Sequence, residues 1–214
     1  MVETAIGKYF GEHAVDWGKH YQGTTISRRI FNRIFRRALK QRWDLTMKYA
    51  LPTRGKTYLD IGCGTGAYSL ALAKAGAAYV TGIDFAEPMI DLSRRQADIR
   101  NLSHRCEFVV GDFIKMDLDR KYDMVIAMGV FDYVADYESF WRKMIAVSKG
   151  TVIASFPGHG LIREPMRRFR YRRKNMPVHF YDNDQLKTLG RFHGLDRFKI
   201  KTIGGGFVLI GFVK

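Results

Sequence analysis

Apolar residues keep two different rhythms along this chain. Between residues 26 and 39 they recur at every fourth position, with Ile26, Ile30, Ile34 and Ala38 on one stripe, Phe31, Phe35 and Leu39 beside it, and arginines opposite. That spacing predicts a helix from Thr24 or Thr25, either of which could cap it, to about Tyr49. Beyond Pro52 and Gly55 the pattern changes to short apolar runs bounded by turn residues. Runs at 57–61, 79–83, 106–110, 122–128 and 151–156 read as strands, separated by helices at about 67–76, 87–99 and 137–147, the second with Pro88 in its permitted first turn. Such alternation predicts a parallel sheet covered on both faces. Residues 157–181 interrupt it with a connection too long for an ordinary loop, a class that is usually functional or disordered. A helix capped by Asp182 or Asn183 then runs to about His193, and 198–203 and 207–213 form a hairpin across Gly204, Gly205 and Gly206.

The stretch from Thr57 to Ser69, TYLDIGCGTGAYS, joins the first of these strands to its helix. Glycines at Gly62, Gly64 and Gly66, with Cys63 among them, let backbone amides come close to a ligand, as a Cβ would not. In a dinucleotide fingerprint the third glycine follows the second by three residues, leaving room for a pyrophosphate. Here it follows by two, and Asp60 stands just ahead of the turn. A carboxylate there repels a pyrophosphate and suits a cationic amino-acid group. Asp84 ends the next strand, where a carboxylate can accept hydrogen bonds from both hydroxyls of a ribose.

The stretch resembles motif I of the class I S-adenosylmethionine (AdoMet) methyltransferases, LDxGCGTG, matched without a gap. The resemblance implies a Rossmann-like α/β fold, a seven-stranded mostly parallel sheet in the order 3-2-1-4-5-7-6 with helices on both faces and an N-terminal helical extension. Residues 1–54 would then be a flap and basic helix, and 55–214 the AdoMet-binding domain with a basic insert at 157–181. AdoMet is the implied cofactor, leaving as S-adenosylhomocysteine (SAH). Its implied contacts are Asp60, Gly62, Cys63, Gly64, Gly66 and Asp84, with Phe85 and Met89 just beyond. Asp112 and Phe113 would meet the adenine amino group and ring, and the backbone at Met128 and Gly129 would flank the methionine part. Arg42 is the nearest equivalent of an arginine that meets the AdoMet carboxylate in porphyrin enzymes of this type.

The same resemblance turns Asp132 and Tyr133 toward the methyl group. Many relatives read EH or DH there, whereas this chain reads DY, so the usual histidine base is missing. Methyl transfer can proceed largely by holding the acceptor in line with the sulfonium, and a base is needed only for a hydroxyl or an acidic carbon. Asp132, Tyr133 and His159 are the candidates carried forward, with His179 after them. No NPPY-like or DPPY-like tetrapeptide is present, so methylation of an exocyclic base nitrogen has no support. The runs GVFDYV, SFP and PVHFY are similar to a bacterial group distantly related to magnesium-protoporphyrin O-methyltransferases and ubiquinone-pathway methyltransferases.

Charge narrows the partners. The net charge is +15, and segments 28–42 and 163–174 hold seven basic residues each against a single acid, Glu164, so they carry nearly all of it. The expected acceptor is a small, anionic or amphipathic molecule. The basic insert, with Phe169 and Tyr171 among its arginines, leaves RNA or DNA as the alternative substrate, and a non-catalytic AdoMet-binding protein as a third reading. The basic helix can dock on its own domain or lie on an anionic membrane as a peripheral contact. Tyr9, Phe10, Trp17 and Tyr21 on a glycine-punctuated segment suggest a flap or an arm packed on the core, and the resemblance favours the flap. Two cysteines give neither a disulfide framework nor a zinc spacing, and no metal is expected. With no signal-peptide pattern and no membrane-length apolar run, the expectation is a reduced, cytoplasmic protein. Oligomeric state is not readable from the sequence.

Overall fold

The computed structural model describes residues 26–160, 164, 165, 168 and 178–214, with side chains in the first helix described from residue 37. The aromatic segment at 1–24, the proposed caps Thr24 and Thr25, and most of the basic insert lie outside the described residues. The elements in chain order are α1 (Ile26–Ala50), β1 (Thr57–Ile61), α2 (Ala67–Lys74), β2 (Tyr79–Asp84), α3 (Glu87–Ile99), β3 (Cys106–Val110), β4 (Tyr122–Ala127), α4 (Tyr137–Ala146), β5 (Ser148–Pro157), α5 (Asn183–Gly190), β6 (Leu195–Ile203) and β7 (Gly206–Val213). Seven strands form one sheet in the order β3-β2-β1-β4-β5-β7-β6. Pairing is parallel from β3 across to β5, and β7 runs antiparallel to both β5 and β6. The expected fold class and strand order are therefore the observed ones.

Alternation along β1 shows why the sheet is covered twice. Leu59 and Ile61 enter a core shared with Phe131, Trp141, Phe156 and Leu186, whereas Tyr58 enters one shared with Ala50, Leu70, Val80 and Ile90. On the second face α1 is fixed by polar contacts as well as by packing. The Tyr58 hydroxyl donates to the Ala50 carbonyl at 2.8 Å, and the Gly204 amide donates to Gln41 Oε1 at 2.8 Å. Ala38, Thr46 and Ala50 are buried there, so the described part of α1 is docked on its own sheet.

The first face is held by aromatic side chains. Trp141 is fully buried and donates from Nε1 to the Leu189 carbonyl at 3.0 Å, tying α4 to α5. The Tyr181 hydroxyl donates to the Phe131 carbonyl at 3.0 Å, and its ring meets Phe156 edge-on at 5.1 Å. Truncating a ring buried this completely costs about 3–5 kcal/mol.

Element ends differ from expectation in a few places. Helix α2 closes two residues early, because Gly76 takes φ 96° and the Gly76 and Ala77 amides return to the Ala73 and Leu72 carbonyls, a Schellman ending. Strand β4 stops at Ala127, one residue short. Strand β5 runs three residues earlier and one later than expected, since Ser148 already pairs with Tyr122 and Pro157 still pairs with Gly206. Strand β6 starts at Leu195, opposite Val213, instead of at residue 198. Helix α5 stops at Gly190, short of His193, where the Arg191 and Phe192 amides tighten onto the Thr188 and Leu189 carbonyls; a Cβ on Gly190 would lie 2.4 Å from the Phe198 ring, so the helix packs closely on β6 there.

At the other end of α5 Asp182 accepts from the Asp184 and Gln185 amides, and Gln185 Oε1 accepts from the Asp182 amide, completing a capping box. Asp182→Ala is expected to cost about 1 kcal/mol of stability in urea unfolding. No measurable change would show that the box is not holding α5.

Candidate active site

The strand order reverses between β1 and β4, and the carboxyl ends of β1, β2, β3 and β4 converge there, where open α/β sheets bind ligands. The glycine turn occupies this place. The Gly62 and Cys63 amides both donate to the Ile83 carbonyl, at 2.7 and 3.0 Å, clamping the turn to the end of β2. Gly62, Gly64 and Gly66 take φ of 65°, 53° and 76°. A Cβ on Gly62 would come within 2.5 Å of the Val130 side chain, so this position is closed to other residues by space as well as by angle. Gly64 is the opposite case: a Cβ there would meet nothing within 4 Å, so its backbone faces open space.

Two carboxylates brace the turn from below. Asp60 is almost completely buried, and its Oδ2 accepts from the Ser69 hydroxyl at 2.7 Å and the Ser69 amide at 3.2 Å, in the first turn of α2. Burial pushes its pKa up to about 7, outweighing the Ser69 hydrogen bonds, with the nearby Asp84 charge adding to the rise. Asp84 is also buried. Its Oδ2 accepts from the Gly64 amide and its Oδ1 from the Ala86 amide, each at 2.9 Å, and burial again raises its pKa. Phe85 beside it is exposed, an apolar ring at the rim, while Met89 is buried beneath Ala86. Cys63 is buried within the turn, and burial drives its thiol well above the usual range, so it is an inert neutral group.

Asp112 stands next to this rim, since the Gly111 amide donates to the Asp84 carbonyl at 2.9 Å. Its Oδ1 accepts from the Ile114 amide at 3.0 Å. Its Oδ2 lies 3.1 Å from the Lys115 ammonium, close enough for an ion pair but outside hydrogen-bond geometry. The Phe113 ring departs from expectation. It is 3% exposed, packs on Phe140 at 5.0 Å and has the Lys143 ammonium 5.3 Å from its centre, so the ring belongs to the core and has almost no surface to offer an adenine.

On the other side of the turn, β4 ends in Ala127 and the chain passes through Met128 and Gly129. The Gly129 amide donates to Ser155 Oγ at 2.8 Å, and its φ of 84° opens the backbone toward α1. Arg42 reaches it from there: a Cβ on Gly129 would lie 3.5 Å from a terminal guanidinium nitrogen of Arg42. The same guanidinium neighbours Tyr68 in the first turn of α2, whose phenol burial pushes up to about 12 despite that charge. Arg42 Nε is buried without a hydrogen-bond partner among the described residues. Arg42, the glycine turn, Asp60 and Asp84 thus form one cluster.

The three catalytic candidates divide. Asp132 is buried and Tyr133 half-buried just beyond β4. His159 is exposed on the far side of the 178–181 strip, its ring 5.9 Å from that of Phe180 and its Nδ1 held 2.8 Å from Glu164, which also pairs with Arg168 at 2.7 Å. His179, ranked last on sequence, is the histidine that reaches the Asp132 segment, its amide donating to the Asp132 carbonyl at 2.9 Å. Ser69, Ser155 and Val130 were not singled out from sequence: Ser155 and Val130 act across long separations that no local motif records, whereas Ser69 lies nine positions from Asp60 at the end of the glycine stretch itself.

A family profile described as Methyltransferase domain matches residues 52–193. The chain belongs to that family. Among its relatives, a ubiquinone biosynthesis O-methyltransferase of Coxiella burnetii is 34% identical over 98 residues, 45% of this chain and 40% of that protein. A malonyl-[acyl-carrier protein] O-methyltransferase of Bacillus cereus is 23% identical over 195 residues, 86% of this chain and 67% of that one. This methyltransferase-domain chain thus spans only about 40% of the length of the ubiquinone relative it matches. In fold it is similar to magnesium protoporphyrin IX methyltransferase from Synechocystis PCC 6803, solved with bound SAH, at TM-score 0.77 and 18% identity over 99% of each chain. The expected class I methyltransferase is met in family and in fold.

The raised pKa of Asp60 has a measurable sign. In the unfolded chain this carboxyl ionises near 3.8, so its contribution to stability is present below that value and lost as pH rises through about 7. Asp60→Asn removes the ionisation and keeps an acceptor for Ser69. Thermal unfolding should show the variant gaining on wild type from pH 5 to pH 8. A difference that is flat or shrinks over that range would contradict the buried acid.

Proposed function

We propose that this chain transfers the methyl group of AdoMet to a small acceptor, anionic or amphipathic, by in-line displacement at sulfur. The observation that carries the reading is the cluster at the carboxyl edge: a left-handed glycine turn open at Gly64, with a buried carboxylic acid on one side and a guanidinium on the other.

The residues present suit AdoMet. The unpartnered Arg42 Nε fits a carboxylate, the buried Asp60 fits an ammonium group that would restore its charge, and Asp84 has lone pairs left for a ribose. Asp112, Phe85 and Met89 would border the adenine end, and the Met128 and Gly129 backbone the methionine end. Bound there, AdoMet supplies an electrophilic methyl group. The protein's part is to hold the acceptor in line and keep water away, which can supply much of the rate. A small acceptor is supported by the relatives named for ubiquinone biosynthesis and magnesium protoporphyrin IX.

Calorimetry with AdoMet and SAH tests the assignment. Asp84→Ala should weaken both by about 1.5–3 kcal/mol, the scale of hydrogen bonds to a charged group. Equal affinity in variant and wild type would remove Asp84 from the ribose.

A further inference from the structure

Strand β3 leaves the sheet through a tight turn, residues 111–116, that carries Asp112 to the carboxyl edge. The Gly111 amide donates to the Asp84 carbonyl at 2.9 Å, and the Lys115 and Met116 amides close back on the Asp112 carbonyl at 3.0 and 3.1 Å. Met116 folds over the start of the turn, where a Cβ on Gly111 would come within 2.6 Å of its sulfur. Asp112 therefore stands beside Asp84, which itself holds the Gly64 amide of the glycine turn.

One turn of helix that stops at once leaves its last carbonyls unpaired. Here they are taken from outside: the Lys143 ammonium, reaching over from α4, donates to the Ile114 carbonyl at 2.8 Å and to the Met116 carbonyl at 2.5 Å. The same ammonium lies 5.3 Å from the centre of the Phe113 ring, which rests in the core against Phe140. Lys143 has no carboxylate within ion-pair distance among the described residues, so its contacts serve this turn. The inward ring of Phe113 is the floor beneath it. Asp112 is oriented by the same turn: its Oδ1 accepts from the Ile114 amide at 3.0 Å and is the oxygen left at the surface, since Oδ2 is shielded beside the Lys115 ammonium. Ile114 is thus held at its carbonyl by Lys143 and at its amide by Asp112, which ties the direction of the carboxylate to the ammonium.

We propose that Lys143 is a positioning residue for the adenine end of the cofactor, fixing the 112–116 turn so that Asp112 Oδ1 accepts from the purine amino group. The inference rests on the methyl-transfer reading above. A carboxylate oxygen with a lone pair left suits the N–H of a 6-amino purine and repels the carbonyl oxygen of a 6-oxo purine. A carboxylate free to turn toward water tells the two apart poorly, so the selectivity depends on the bonds that hold the turn. Lys143 supplies two of them from an element that does not itself border the cofactor edge.

Calorimetry on the full chain with two ligands tests it: SAH, and S-inosylhomocysteine, which is SAH with a 6-oxo group in place of the amino group. Wild type should prefer SAH by about 10- to 100-fold, the scale of a hydrogen bond to a charged group. Lys143→Met, which keeps the stem and removes the donors, should lose most of that preference. Lys143→Arg, with donors for both carbonyls, should keep it, and Asp112→Asn should abolish it. The ratio of the two affinities is the readout, because a variant that only weakens the fold loses both in proportion. A wild-type chain that binds both ligands equally, or a wild-type ratio preserved in Lys143→Met or in Asp112→Asn, would each overturn the proposal. Failure of the wild-type chain to bind SAH is a separate result: it removes the methyl-transfer reading itself, and this inference with it.

Discussion

The clamp between the ends of β1 and β2 is the constraint on which the site depends. The Gly62 and Cys63 amides share the Ile83 carbonyl, and Asp84, one residue further, takes the Gly64 amide. A chain forced into three left-handed angles over five residues would not hold that shape alone. Bonding to the neighbouring strand holds it, and the parallel pairing of β1 with β2 brings that strand into place. Val130 then fills the space that a side chain at position 62 would need, joining the turn to the segment after β4. Fold and site are in this sense one structure: loss of the β1–β2 register would release the turn.

The order of elements was legible because each obeys a local rule. Short apolar runs bounded by turn residues, a period-four helix stripe and glycine at left-handed turns follow from the residues themselves, and so did the places of Asp60, Asp84 and the three glycines. Boundaries were less legible wherever a partner decides them. Leu195 extends β6 because Val213 lies opposite, and Pro157 extends β5 because Gly206 does.

Side-chain roles across long separations were the least legible. Arg42 was placed by resemblance, and its approach to Gly129 depends on how α1 docks through Tyr58 and Gln41. Phe113 follows an aspartate at the rim, yet its ring turns inward because Phe140 offers it a partner in the core. His159 and His179 look alike in sequence. What separates them is burial: one lies beside Glu164 in solvent and the other under cover beside Asp132.

The central claim is that a single cluster at the carboxyl edge, built from the glycine turn, Asp60, Asp84 and Arg42, holds AdoMet. A crystal structure of the chain with SAH tests it most directly. The account predicts ribose hydroxyls on Asp84, the amino-acid end between Asp60 and Arg42, and the sulfur turned toward the segment of Asp132. SAH bound away from the turn, or bound there with Asp84 and Arg42 both out of reach, would contradict it.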